Sequence, residues 1–375
     1  MKAPCILSQE KIVKTKIDIA ELDRNLQSRV PDENGIVWHV PTEKPFRICG
    51  FYWFARDGVF RRLPLKPAWT ISQNIDTLAD CTAGGQLRFR TDSCRISIRT
   101  QTGESKPSPV MAEAGRSGFD LYCGAPGQEL FWNATAAPCL TSEFSSELFH
   151  VQKRQWRDFV LNFPLYNRVA HLEIGLDADA GLKAPRRWAD PRKVVIYGTS
   201  ITQGGCASRP GMAFTNILSR RLNIEFLNFG FSGNGHTLAE HAHLIASVKN
   251  PALFIIDSEA NCISAELFRE RLPVFIDIIR KKHAQVPILV VSKITYGPRY
   301  ALEIPADEQK MVQIQCVKKI CAAGDKQLYF LDGSDFLGKD YSECSVDGAH
   351  PNDLGFYRIA EALEPVIRNI LKSNQ

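Results

Sequence analysis

The chain has no apolar stretch approaching the ~20 residues that span a bilayer. Its opening segment, Met1-Lys2-Ala3-Pro4-Cys5-Ile6-Leu7-Ser8, carries too short an apolar run for a secretory leader. No membrane span is therefore expected. The expected compartment is the cytoplasm, or the periplasm or exterior if a leader has been removed. No run of five like charges occurs, and acids and bases alternate, so the net charge of +5 leaves no footprint for nucleic acid. The eleven cysteines include no CxxC or CxxH spacing, which argues against a zinc site. Their odd number argues against a full disulfide framework, and reduced thiols packed as small hydrophobes are expected. Internal repeats and low-complexity segments are also missing.

What is present is an ordinary globular composition, 44% hydrophobic and 23% charged, over 375 residues. That length is long for one core when domains usually run ~100–200 residues, so two are expected: 1–182 and 192–375. The first reads as all-β. Short β-prone runs recur between turns, as in Gln86-Leu87-Arg88-Phe89-Arg90 and Ala170-His171-Leu172-Glu173-Ile174. In Arg95-Ile96-Ser97-Ile98-Arg99 polar and apolar residues alternate, the mark of a strand with one wet face. Many short strands without long helices predict a β-sandwich, and the polar stretch 178–192 reads as a linker.

Beyond it the rhythm changes. Apolar runs at 193–198, 224–229, 253–257, 288–293 and 328–332 alternate with amphipathic stretches at 213–222, 265–282, 308–322 and 353–371. Continuous Val/Ile/Leu/Phe runs predict strands buried on both faces, hence an α/β domain with a parallel five-stranded sheet. Such a sheet carries its functional loops at the carboxyl ends of its strands.

The polar, glycine-rich segments fall at those ends. They are Gly198-Thr199-Ser200-Ile201-Thr202-Gln203, Asn228-Phe229-Gly230-Phe231-Ser232-Gly233-Asn234-Gly235, Asp257-Ser258-Glu259-Ala260-Asn261 and Asp347-Gly348-Ala349-His350-Pro351-Asn352. Taken singly each has a plain reading. Ser200 could cap a helix, the glycines could serve positive φ, Asn261 could be a turn residue, and Asp347 and His350 could lead into the last helix. Together they supply a nucleophile, a base, an acid to orient it and donors for an oxyanion, which is what acyl transfer needs.

Other motifs fail on detail. The glycines near Gly230 do not form GxGxxG, and residues 198–205 lack the Gly-Lys-Ser/Thr of a P-loop. Ser200 is not in Gly-x-Ser-x-Gly, because position 202 is threonine. His236, His241 and His243 cluster, but offsets of five and two do not share one helical face. A solvated helix is expected there rather than a metal site.

At this point the pattern resembles the SGNH (GDSL-type) hydrolases. Gly198-Thr199-Ser200 is similar to the nucleophile block, with threonine where that family usually has aspartate. Gly233 resembles the oxyanion glycine. Asn261 resembles the oxyanion asparagine, although Glu259-Ala260-Asn261-Cys262 replaces the usual Gly-x-Asn-Asp, and residues 347–352 resemble the Asp-x-x-His block. Gly118-Phe119-Asp120-Leu121-Tyr122 resembles the GxDLY motif of an amino-terminal β-domain found ahead of some of these enzymes, and residues 161–167 are similar to that domain too.

The resemblance implies a jelly-roll-like sandwich ahead of a flavodoxin-like three-layer domain. It implies Ser200 as nucleophile, His350 as base and Asp347 as its orienting acid. The oxyanion would be held by the Ser200 and Gly233 backbone N–H groups and the Asn261 amide. No cofactor or metal is implied, and no feature sets an oligomeric state. The implied partner is a small-molecule or glycan ester, most simply an acetylated sugar. Trp53, Trp132 and Tyr296 are of the type that stacks on sugar rings, and no long apolar lid suits a long acyl chain. Thioester or lysophospholipid substrates, or a carbohydrate-binding protein without activity, are the alternatives. Asp120 and Tyr122 are expected to be structural, a turn-capping acid and a half-buried ring.

Overall fold

Alternation of apolar side chains drives the first half into paired antiparallel sheets. The computed structural model describes residues 30–104, 108–135, 141–303 and 308–374, so the segment from Met1 to Ser8 lies outside the described residues. The strands are β1 (Ile36–His39), β2 (Arg47–Cys49), β3 (Gln86–Thr91), β4 (Arg95–Thr102), β5 (Asp120–Cys123), β6 (Leu130–Ala134), β7 (Glu143–His150), β8 (Arg157–Asn162), β9 (Val169–Asp177) and β10 (Leu182–Lys183). One sheet has the order β1-β9-β4-β7 and the other β10-β3-β8-β5-β6, with β2 beside β3. Without the short β2 and β10 this is the strand order of a jelly roll. In β4 the predicted alternation holds: Ile96, Ile98, Thr100 and Thr102 face inward. Between the sheets lie the fully buried rings of Phe89, Phe119, Phe149, Phe159 and Phe163, each contributing about 1.5–3 kcal/mol by burial. The expected linker is shorter than predicted, because Leu182 and Lys183 pair with Thr91 and Arg90 of β3.

Between β2 and β3 the chain leaves the sandwich through α1 (Phe54–Asp57) and α2 (Gln73–Ala79), and a further short helix, α3 (Glu113–Arg116), precedes β5. Ser72 caps α2, accepting from the Ile75 N–H at 3.3 Å. Leu63, Ile75 and Ala79 of this excursion share a core with Tyr197, Phe229 and Phe231 of the second half.

That half is a parallel sheet of β11 (Asp190–Gly198), β12 (Ile224–Gly230), β13 (Pro251–Asp257), β14 (Ile288–Val291) and β15 (Leu328–Leu331), in the order β12-β11-β13-β14-β15. The helices are α4 (Ser200–Gln203), α5 (Phe214–Leu222), α6 (Ala239–Ala246), α7 (Ala265–Lys282), α8 (Pro298–Glu303), α9 (Glu308–Ala322) and α10 (Asp353–Lys372). Residues of α6, α7 and α9 cover one face, against Val195 and Tyr197, and those of α5 and α10 cover the other, against Val194 and Ile196. The last two strands end earlier than predicted because side chains take over from the ladder. Ser292 Oγ donates to Asp332 at 3.0 Å and accepts from the Gly333 N–H at 2.8 Å. The chain moves to one side of β11 and then to the other, so the topological switch point lies at its carboxyl end, where Ser200 begins α4.

The expected solvated histidine helix is corrected. His241 is 3% exposed with its Nδ1 hydrogen-bonded to the Tyr197 hydroxyl at 2.9 Å, while His243 stacks on Trp69. Burial, with a smaller push from His236, takes His241 down to about 4, so it is neutral at ordinary pH. Among the described residues no helix is long and apolar enough to cross a membrane, and no three or more His, Cys, Asp or Glu side chains group as metal ligands would.

Candidate active site

The turn that carries Ser200 is built by threonines. Thr199 is the N-cap of α4, its hydroxyl accepting from the Ile201 N–H at 3.3 Å. Thr202 Oγ1 accepts from the Thr199 N–H at 3.3 Å and donates to Asp257 at 2.7 Å, fastening the turn to the end of β13. The cap is therefore Thr199, not Ser200. Ser200 is the first residue of the helix, where its own N–H has no intrahelical acceptor. Gly230 lets α4 lie against β12: a Cβ there would stand 2.2 Å from the Gln203 nitrogen. Burial pushes the Asp257 carboxyl up to about 7, with the Glu259 charge adding to it against the Thr202 bond.

Across from this turn the chain presents His350 on a tight loop before α10. Ser200 Oγ stands 2.9 Å from His350 Nε2, and His350 Nδ1 stands 2.8 Å from Asp347 Oδ2. The other Asp347 oxygen accepts from the Ala349 and His350 N–H groups at 2.9 and 2.8 Å. Burial raises the Asp347 carboxyl, but the His350 N–H and ring and the Ala349 N–H outweigh it and hold it below the usual range. An ionised carboxylate only accepts, so Nδ1 carries the ring proton and Nε2 is left to receive one from Ser200. Gly348 turns the loop at φ +92° and its carbonyl accepts from the Gly297 N–H at 2.6 Å. Asn352 then caps α10, accepting from the Gly355 N–H at 3.0 Å.

Two more loops are tied to the same strand end. The Phe231 N–H donates to the Gly198 carbonyl at 3.0 Å, and the Gly235 N–H donates to Asn261 Oδ1 at 3.1 Å. With its oxygen so held, the Asn261 side chain keeps its NH₂ group to donate elsewhere. The loop glycines divide the work. Gly233 has φ +66° with open space where a Cβ would be, whereas at Gly235 a Cβ would meet the Gly198 oxygen at 2.7 Å. Positive φ thus explains Gly233, and close approach explains Gly230 and Gly235. Glu259, 1% exposed, anchors the Asn261 turn by accepting from the Lys293 N–H at 2.9 Å and from Gln313.

Residues 191–368 match the GDSL-like lipase/acylhydrolase family, and residues 36–182 match GxDLY, the N-terminus of SGNH-hydrolase-type esterases. The chain carries an SGNH (GDSL-type) hydrolase domain behind a GxDLY domain. It is by class an ester-cleaving serine hydrolase. Among solved structures, a GDSL-like lipase-family protein from Bacteroides ovatus aligns with a TM-score of 0.83 at 29% identity, covering 90% of this chain and 98% of that one. A salicylyl-acyltransferase from a tetracycline biosynthetic pathway gives 0.71 at 20% identity over 90% and 98%. An acetyl xylan esterase from the rumen bacterium Butyrivibrio proteoclasticus gives 0.55 at 12% identity over 90% and 99%. The latter two are likenesses of fold. No curated protein matches the chain.

Within this SGNH site, Ser200, His350 and Asp347 form one hydrogen-bonded chain, and the loops of Gly233 and Asn261 are tied to the same strand end through the Gly198 carbonyl and the Gly235 N–H. The aromatic candidates separate. Trp53 packs on Tyr52 and Phe229, and Trp132, 44% exposed, packs on Phe149 of the sandwich. Tyr296 adjoins Gly297, which bonds the histidine loop at Gly348. Asp120 is no turn cap. Fully buried, it accepts from Asn162 at 2.7 Å, Arg209 at 2.9 Å and the Gly211 N–H at 2.7 Å, joining the sandwich to the segment before α5. Tyr122 is 3% exposed rather than half-buried, and Arg209 donates to its hydroxyl at 2.5 Å. Sequence reading missed Glu259, Arg62 and Tyr166. The Tyr166 hydroxyl donates to the Ser200 carbonyl at 3.1 Å. Only the family-like run 161–167 hinted at it.

Proposed function

We propose that the chain hydrolyses small O-acyl esters, acetyl foremost, carried on carbohydrate. Ser200 is the nucleophile, His350 its base and Asp347 the acid that orients the base. The observation that carries this reading is the unbroken contact from Ser200 Oγ through the imidazole to Asp347, at 2.9 and 2.8 Å. His350 Nε2 takes the hydroxyl proton as Oγ bonds to the ester carbonyl carbon. The resulting oxyanion accepts from the Ser200 N–H, the Gly233 N–H and the Asn261 amide. Collapse breaks the bond to the alkoxy oxygen, which receives the proton from His350, and water repeats the sequence on the acyl-enzyme.

A small acyl group is supported by the sequence, which carries no long apolar lid segment of the kind that suits a long acyl chain. A carbohydrate alcohol is supported by the two-part fold, which an acetyl xylan esterase shares. Hydrolysis of p-nitrophenyl acetate and labelling by a fluorophosphonate test the chemistry: both should vanish in Ser200→Ala, and undiminished labelling would refute the assignment. A panel of acetylated sugars, acyl-thioesters and lysolipids tests the substrate. Preference for a thioester or lysolipid would refute the carbohydrate reading.

A further inference from the structure

Arg62 is 1% exposed, and among the described residues no carboxylate pairs with it. Its neighbour Arg61 does the ordinary thing and pairs with Asp76 and Asp80. A buried charge without a counter-ion must be compensated by oriented dipoles. Arg62 finds them in backbone carbonyls. It donates to Leu78 at 2.6 Å and Cys81 at 2.7 Å in its own excursion. It also donates to Gly230, and at 3.4 Å to Asn228, at the end of β12. The guanidinium lies 4.7 Å over the ring of Phe231, the next residue along. Two residues further on is Gly233. Arg62 thus joins the sandwich half to the strand end from which the oxyanion loop departs. On the loop's other side, Gln203 accepts from the Ser232 N–H at 3.0 Å.

We propose that Arg62 is a positioning residue for the oxyanion hole. Its planar fork fixes the carbonyls of residues 228 and 230, and with Phe231 under it the loop can present the Gly233 N–H in one direction only. The inference rests on the reading of Gly233 as an oxyanion donor. A lysine has one ammonium and no fork, so it cannot hold carbonyls from both segments in one plane. The arrangement also explains why the excursion between β2 and β3 lies against the α/β sheet: it delivers this side chain.

The test compares Arg62→Met, Arg62→Lys, Arg61→Met and Ser200→Ala in the full chain. It uses p-nitrophenyl acetate turnover and inhibition by ethylboronic acid, which adds to a serine hydroxyl as a tetrahedral anion. Misplacing an oxyanion donor costs up to about 100-fold, so kcat/KM in Arg62→Met should fall about 10- to 100-fold. The boronate Ki should rise by the same factor, with KM changing far less. Arg62→Lys should fall between, and Arg61→Met should keep the wild-type Ki. A merely structural anchor lowers the folded fraction but leaves Ki unchanged in the molecules that fold. Wild-type Ki in Arg62→Met therefore overturns the proposal, and if that variant does not fold, wild-type Ki in Arg62→Lys does so. These outcomes bear on Arg62 when Ser200→Ala is inactive. An active Ser200→Ala overturns the active-site reading itself.

Discussion

Asn261 serves the candidate site with both ends of its amide, and the two can be separated by substitution. Its oxygen accepts from the Gly235 N–H at 3.1 Å and staples two loops, while its NH₂ group is assigned to the oxyanion. Replacing it with alanine removes both. The lost donor should lower kcat by about 10²–10³, or roughly 2.7–4 kcal/mol of transition-state stabilisation. The lost staple should cost about 1 kcal/mol of folding stability. Asn261→Asp keeps an oxygen at the Gly235 N–H but turns a carboxylate oxygen toward the developing negative charge. Stability should stay near wild type, while kcat/KM should fall at least as far as in the alanine variant. Steady-state kinetics on p-nitrophenyl acetate and urea denaturation read the two effects. Wild-type kcat/KM in Asn261→Asp would refute the donor role and leave Asn261 a loop staple.

Three further outcomes follow from named contacts. Tyr166→Phe removes the donation to the Ser200 carbonyl and should lower stability by about 0.5–1.5 kcal/mol in urea melts. Asp120→Ala strands Arg209, Asn162 and the Gly211 N–H in the interior, and should cost about 3–5 kcal/mol by denaturation. The Asp257 carboxyl lies at about 7 in the folded chain against an ordinary 3.8, so the native state binds its proton more tightly than the unfolded state does. That contribution to stability is fully present below the ordinary value and is lost as pH rises to about 7. Asp257→Asn should flatten this slope in urea melts taken across the range, and an unchanged slope would show that Asp257 does not cause it.

The parallel sheet was legible because its strands are continuous Val/Ile/Leu/Phe runs, and α10 because Ile359, Leu363, Val366 and Ile370 repeat at helical spacing. The four polar loops were legible because chemistry-bearing residues fall just past strand ends. Contacts between the halves were not. Arg62 and Asn228 are 166 residues apart, and an Arg-Arg pair in a short loop reads as solvated charge. Periodicity reports which face of an element is apolar, not which distant carbonyls a buried cation will meet. The same limit hid Tyr166 from Ser200 and Asp120 from Arg209. His241 was misread as solvated for the converse reason. A short helix with three polar rings nearby shows no clear apolar stripe, yet the imidazole is buried with its Nδ1 against the Tyr197 hydroxyl.

The central claim is that Ser200 carries the acyl group. Rapid quenching of the chain with p-nitrophenyl acetate, followed by mass analysis of the peptides, tests it most directly. The account predicts one acetyl group on the peptide containing Ser200, at Oγ, and none on that peptide in Ser200→Ala. An acetyl group on any other residue, or turnover in Ser200→Ala at the wild-type rate, would contradict it.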